Sequence, residues 1–182
     1  MKTLILATKN KDKLKEVREI MKDIDINIIS MEEAGITIDV IEDGKTFQEN
    51  ATKKAEEIMK VANLPVLADD SGLEIDYLNK EPGIYSARYL GENTSYKEKN
   101  KIILERLKDA KKEERTARFI CAVALASPNN DTIVRTGIIE GLINDAPVGE
   151  NGFGYDPIFY VEELGTTTAN VDDKTKNSIS HR

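Results

Sequence analysis

Two adjacent carboxylates, Asp69 and Asp70, follow an apolar run from Pro65 to Ala68 in the stretch "LPVLADDSGLEID". Like charges side by side at the end of a buried strand are unfavourable unless something offsets them. Two readings are open: a solvated polar turn closed by Ser71 and Gly72, or a pair of carboxylates that await a cation. Their position right after an apolar strand supports the cation, because ligands of open α/β sheets gather at the carboxyl ends of strands. Glu42, Asp43 and Glu49 are the other acidic candidates. A divalent cation such as Mg²⁺ takes a few carboxylates, with water and substrate phosphate completing its shell, and it lowers the cost of crowding them.

Three more stretches carry residue types suited to chemistry. In "ATKNKDK", Ala7 to Lys13, an apolar strand gives way to a polar turn and a helix start. Helix N-termini favour anions, and Lys9, Lys11 and Lys13 add positive charge. An ordinary helix start with solvated lysines fits as well, and the glycines and Lys-Ser/Thr pair of a P-loop are missing. In "GFGYDPIF", Phe153 or Tyr155 suits stacking on a base and Asp156 suits a ring N–H; a turn with core aromatics is the other reading. "SISHR" holds the one histidine, His181, beside Arg182. No nucleophile-elbow motif is present, and Cys121 lies inside an apolar β run, as expected of an inert core thiol.

These residues need elements to hold them. Alternation and apolar runs predict strands over residues 3–8 and 26–31, and a strand from Pro65. The pair "ARFICA" and "IVRTGII", within residues 115–127 and 132–143, reads as antiparallel strands around the turn "SPNND". Helical spacing predicts a helix from Asn10, one after Thr46 with Glu49 as a capping-box partner, and one over residues 95–107. Residues 73–78 read as a hairpin arm, and the tail after Val171 as the start of a helix. The mixture predicts an α/β fold with a mixed sheet.

The 182 residues, 40% hydrophobic and 32% charged, match a single globular domain. A net charge of −7 argues against broad nucleic-acid or membrane binding, so an anionic ligand needs a local basic cluster or a metal. No apolar run is long enough to cross a bilayer, no signal-peptide pattern is visible, and a single cysteine excludes an internal disulfide; a cytoplasmic protein is expected.

Taken in order, "LATKNKDKLKE", "FQENATKKA", "LADDSGLEID", "PGIYSARY", "ARFICA", "GFGYDPIF" and "KNSISHR" resemble the inosine triphosphate pyrophosphatase family over nearly the whole chain. The resemblance implies an α/β fold with a long twisted mixed β-sheet flanked by helices, and two lobes with a substrate cleft between them. It implies a homodimer that hydrolyses the purine nucleoside triphosphates ITP, dITP and XTP to monophosphate and pyrophosphate with Mg²⁺. On the family pattern, Thr8, Lys9, Asn10, Lys11, Asp12 and Lys13 contact phosphate. Glu42 and Asp70 hold the metal, and Asp70 is also the proton acceptor. Lys54 lies near the phosphates, and Ser71 touches substrate. Phe153, Gly154, Tyr155 and Asp156 form the base loop, while Lys176, His181 and Arg182 complete the nucleotide contacts. Two departures stand out: Lys9 occupies a position where the family often has Gly, and residues 1–182 form one such domain without the family's usual C-terminal helix. The alternatives are a related septum-inhibitor-like pyrophosphatase with pyrimidine preference, or a catalytically idle nucleotide-binding module.

Overall fold

The computed structural model describes residues 2–182. Among the described residues there are seven strands and four helices: helices separate the first four strands, and the last three strands follow without one before the final helix, within the α/β class the sequence predicts. The strands are β1 (Lys2–Leu6), β2 (Ile26–Ser30), β3 (Val66–Ile75), β4 (Thr116–Ala126), β5 (Ile133–Ile143), β6 (Phe159–Val161) and β7 (Thr166–Thr167). They form one sheet in the order β2-β1-β3-β4-β5-β6-β7. It is mixed: β1 runs parallel to β2 and β3, with Ile5 opposite Val66, while β6 is antiparallel to β5 and β7. The helices are α1 (Lys11–Ile20), α2 (Phe47–Ala62), α3 (Tyr96–Arg106) and α4 (Asp173–Ile179). Among the described residues, no helix is long and apolar enough to cross a membrane.

The chain divides into two compact units, one of residues 2–70, 121–137 and 182, the other of residues 71–120 and 138–181. In the first, Leu6, Val17 and Ile28 are buried together, with Leu14, Met21, Ile26 and Leu67 packed around them. The i, i+3, i+7 spacing of Leu14, Val17 and Met21 puts one stripe of α1 on the parallel strands. In the second, Leu73, Ile75, Ile103, Leu107, Phe119, Ile143, Ile158 and Phe159 form a larger core. Arg115 is buried at the entry to β4, where its guanidinium donates to the carbonyls of Leu107 and Asn144 at 2.8 and 3.0 Å.

One expectation is corrected. Ser71 and Gly72 do not turn the chain: residues 73–75 continue the same strand, with Glu74 bridged antiparallel to Pro82 as in a hairpin arm, and residues 76–78 form a 3-10 turn. β3 continues through Asp69, Asp70, Ser71 and Gly72 to Ile75; it pairs with β1 at Val66 and Leu67 and has β4 as its neighbour on the other side. The two aspartates therefore sit within a strand, and both are buried.

Candidate active site

In the first unit the lysine-rich turn after β1 is organised by Asn10. Its side-chain oxygen accepts from the amides of Asp12 at 2.8 Å and Lys13 at 3.2 Å, and its own N–H donates to Thr8 Oγ1 at 3.1 Å. This is an N-cap. It uses two of the amides that a phosphate would otherwise meet, so an anion at this turn would depend on lysine side chains more than on bare helix-end N–H groups. Lys13 reaches Asp69 Oδ2 at 2.9 Å. Lys9, with a largely exposed side chain, pairs with Asp39 at 2.8 Å. Lys11 and Asp12 are exposed on the first turn of α1.

The two aspartates of β3 have different surroundings, as alternation along a strand requires. Asp69 Oδ2 meets Lys13 and, at 3.2 Å, Arg182 Nε. Burial alone would raise the Asp69 pKa, but Lys13 and Arg182 outweigh it and hold the carboxyl well below the usual carboxylate range. Asp70 Oδ2 accepts from Asn50 Nδ2 at 2.9 Å. Burial pushes the Asp70 pKa up, Asn50 opposes the rise, and the nearby negative charge of Glu42 adds to it. Glu42 itself pairs with the half-buried Lys54. Asn50 has a second contact: its Oδ1 accepts from Gly44 N at 2.7 Å, tying the loop that bears Glu42 to α2. α2 starts at Thr46, whose hydroxyl caps the Glu49 amide, while Glu49 reaches back to the Lys45 amide instead of Thr46's own.

In the second unit the segment from Gly152 to Asp156 is a tight loop closed by its own acid. Asp156 Oδ2 accepts from Phe153 N at 2.8 Å and from Lys176 Nζ at 2.6 Å, and Oδ1 accepts from Thr168 Oγ1 at 2.8 Å. The Lys176 ammonium also lies 4.7 Å from the centroid of the Phe153 ring. Asp156 and Lys176 are both buried, and these contacts make them the frame of the loop. Tyr155 is a core residue, its hydroxyl donating to Ser86 O at 2.7 Å and its ring meeting Tyr96 edge-on at 5.2 Å. Phe153 is half-buried, which leaves it as the aromatic candidate for stacking. The Gly154 carbonyl accepts from Asn100 Nδ2 at 3.2 Å. His181 stacks on Phe119, centroids 4.9 Å apart and planes 13° apart. Ser71 is half-buried on β3.

A profile of the Ham1 family matches residues 4–182. The chain belongs to the Ham1 family. The Ham1-family chain is 51% identical over 188 residues to a Clostridium perfringens protein named dITP/XTP pyrophosphatase, covering all of this chain and 92% of that one. A Bacillus subtilis protein of the same name is 47% identical over 182 residues, with coverage of 100% and 92%. Among solved structures, the Staphylococcus aureus Ham1 protein superposes with a TM-score of 0.88 at 43% identity, and a Coxiella burnetii HAM1 protein with 0.89 at 43%. Each comparison covers the whole of this chain, and 92% and 93% of the respective neighbours.

The Ham1-family chain thus has two groups of polar side chains, each assembled within one unit. Among the described residues, no cluster of three or more His, Cys, Asp or Glu side chains forms a ready-made metal cage. Glu42 and Asp70 still fit a hard cation, because Mg²⁺ is usually held by one or two carboxylates together with substrate phosphates. Asp70 is buried against the field of Glu42, and a cation would relieve that cost. The sequence reading passed over Asn50 and Glu16. Asn50 lies within the quoted "FQENATKKA", one residue after an acid that capping chemistry explained. Glu16 reads as one more exposed position of α1, yet it is buried and pairs with Arg182. Cys121 is buried 3.9 Å from Asp69; desolvation, then the charge of Asp69, pushes its thiol up to about 12, in line with an inert core thiol.

Proposed function

We propose that this chain hydrolyses the purine nucleoside triphosphates dITP, ITP and XTP to the monophosphate and pyrophosphate in the presence of Mg²⁺. The observation that carries the reading is the joint set Glu42, Asp70, Asn50, Lys54 and Lys13 within one unit, on a chain similar along its full length to proteins named dITP/XTP pyrophosphatase. A triphosphate's charge must be met locally in a protein of net charge −7. Lys13 and Lys54 supply part of that, and Glu42 with Asp70 would hold the metal. When bound, Mg²⁺ neutralises phosphate charge and stabilises the transition state.

In this reading Asp70, held by Asn50, orients the attacking water and accepts its proton, and its raised pKa makes it the stronger base of the two aspartates. Water bonds to the α-phosphorus, the bond to the bridging oxygen breaks, and pyrophosphate leaves with the bonding pair. Phe153, with the Lys176 ammonium over its ring, is the aromatic side chain assigned to stacking on the base. Arg182 and His181 are the donors for a 6-oxo group; adenine's amino group would leave buried donors unpaired, a costly mismatch. A homodimer goes with the same reading on the family resemblance, and sedimentation velocity checks it.

The test is a nucleoside triphosphate panel scored for pyrophosphate release with and without Mg²⁺. The expected result is rapid, Mg²⁺-dependent release from dITP, ITP and XTP and slow release from dATP, dGTP, dTTP and UTP. Preference for pyrimidines, or binding of dITP without hydrolysis, would overturn the proposal.

A further inference from the structure

Asp69 and Glu16 are buried carboxylates of the first unit to which the proposed mechanism gives no task, and Asp69 is the one on β3. It sits one residue before the base, yet its contacts are of another kind. A single oxygen, Oδ2, is met by Lys13 Nζ at 2.9 Å and Arg182 Nε at 3.2 Å, with Cys121 Sγ at 3.9 Å along the same edge. Arg182 also engages Glu16 through Nη1, and Glu16, Asp69 and Arg182 are all shielded from solvent. Lys13, half-buried, and the buried Glu16, Asp69 and Arg182 therefore form one group of two cations and two anions that joins α1, β3 and Arg182. The residues are distant in sequence: 113 positions separate Asp69 from Arg182.

A lysine ammonium is a point charge on a flexible four-carbon stem, so its direction has to be imposed from outside. A guanidinium is a rigid fork, and its plane is set by the carboxylates that hold two of its edges. Asp69 does the first for Lys13 and, with Glu16, the second for Arg182. We propose that Asp69 is a positioning residue, setting Lys13 and Arg182 from one carboxylate oxygen and acting on the reaction through those two cations, not as a metal ligand. Phosphate contact and base contact are then coupled through one side chain. This deepens the proposed function and rests on its reading of Lys13 and Arg182 as substrate contacts.

Double-mutant cycles test it. Asp69→Glu keeps the charge, and so the balance of the buried group, while moving the oxygen along the side chain; Asp69→Asn removes the charge at constant size. Each is expected to lower kcat/KM for dITP by about tenfold or more. In a Lys13→Met background the same changes should cost several-fold less than in the wild type, because one of the two partners through which Asp69 acts is gone and only the Arg182 leg remains. The ratio of dITP to dATP turnover should fall in Asp69→Glu as it does in Arg182→Ala, whereas Lys13→Met should lower both substrates alike. A merely structural role would move melting temperature and leave that ratio unchanged.

Multiplicative losses in the cycle, an unchanged ratio, or wild-type kinetics in Asp69→Glu would each overturn the proposal. If Asp69→Asn does not fold, Asp69→Glu carries the test by itself. Calorimetry with inorganic triphosphate in the absence of Mg²⁺ gives a readout independent of turnover. Through-space electrostatics alone would make Asp69→Asn bind this anion more tightly, whereas loss of Lys13 positioning predicts weaker binding that disappears in the Lys13→Met background. A wild-type protein inactive on dITP and XTP would defeat the functional reading and leave this binding cycle to judge the Lys13 leg.

Discussion

At the scale of single residues, the adjacent aspartates show how one backbone step changes chemistry. Asp69 is held ionised by two cations, whereas Asp70 is buried against a like charge and hydrogen-bonded to a neutral amide. The signs have different consequences. A carboxyl whose pKa is raised in the folded protein favours folding below its unfolded pKa and loses that contribution as pH rises through the folded value. Ionised Asp70 thus costs stability at neutral pH, in keeping with a group kept for chemistry. We expect Asp70→Asn to melt at or above the wild-type temperature at pH 7 and to lose about a hundredfold or more in Mg²⁺-dependent pyrophosphate release. Differential scanning calorimetry and a steady-state assay check both halves; near-normal turnover would remove Asp70 from the proton-transfer role.

At the scale of elements, two short segments are held by one side chain each. Asn50 on α2 joins the Gly44 amide to Asp70, and a Cβ at Gly44 would lie 2.6 Å from Asn50 Oδ1, so the loop bearing Glu42 is fitted closely against that amide. Asn50→Ala leaves the half-buried Gly44 N–H and the buried Asp70 carboxylate without this partner and should cost about 1–3 kcal/mol. It should also raise the Mg²⁺ concentration needed for half-maximal rate, read from a metal titration, since the Glu42 loop loses its tie to α2. The base loop depends on Gly152, whose φ is +70° and whose missing Cβ leaves room for Asp156 Oδ2. Gly152→Ala adds about 1–2 kcal/mol of backbone strain and drives a methyl into that carboxylate. KM for dITP should rise more than kcat falls, and a variant with wild-type KM would argue that the loop does not seat the base.

For the whole molecule, acid stability should depend on buried ion pairs more than on the exposed lysine pairs, which contribute little. Asp76, half-buried just past the end of β3, is an informative case outside the proposed chemistry. Arg118 clasps it with Nη1–Oδ1 at 3.0 Å and Nη2–Oδ2 at 3.1 Å, Thr116 adds a hydrogen bond at 2.6 Å, and Lys80 pairs from the same turn. Hydrogen bonds from Arg118 first, then Lys80 and Thr116, hold its pKa well below the ordinary range against the opposing effect of burial. A lowered carboxyl pKa contributes stability above the unfolded value and loses it as pH falls through the folded one. Asp76→Asn should therefore cost about 1 kcal/mol, constant between pH 5 and 8, with the difference from wild type shrinking below about pH 4. Urea melts across that range decide it, and a gap that widened in acid would contradict the assignment.

The α/β class and the order of elements as far as β5 could be read from the sequence because they rest on local patterns, namely apolar period, N-caps and turn residues, whereas the candidate site residues were named from the resemblance to a family. Asn10 capping α1, Thr46 opening α2 and the exclusion of one aspartate from its neighbour's surroundings all follow from a few consecutive residues. The continuation of β3 through Ser71 and Gly72 did not, since a Ser-Gly pair signals a turn unless a neighbouring strand holds it extended, and sheet neighbours are a tertiary fact. Nor did the division of labour in the base loop, where Asp156 and Lys176 face inward as a frame and Phe153 alone of the loop's two aromatics lies outside the core. The partners of Asp69 come from α1 and from Arg182, 113 residues away, and no spacing rule reaches that far. Local backbone preferences act within a few residues and leave their mark on the sequence; buried charge pairs are chosen by which distant segments the folded chain brings together.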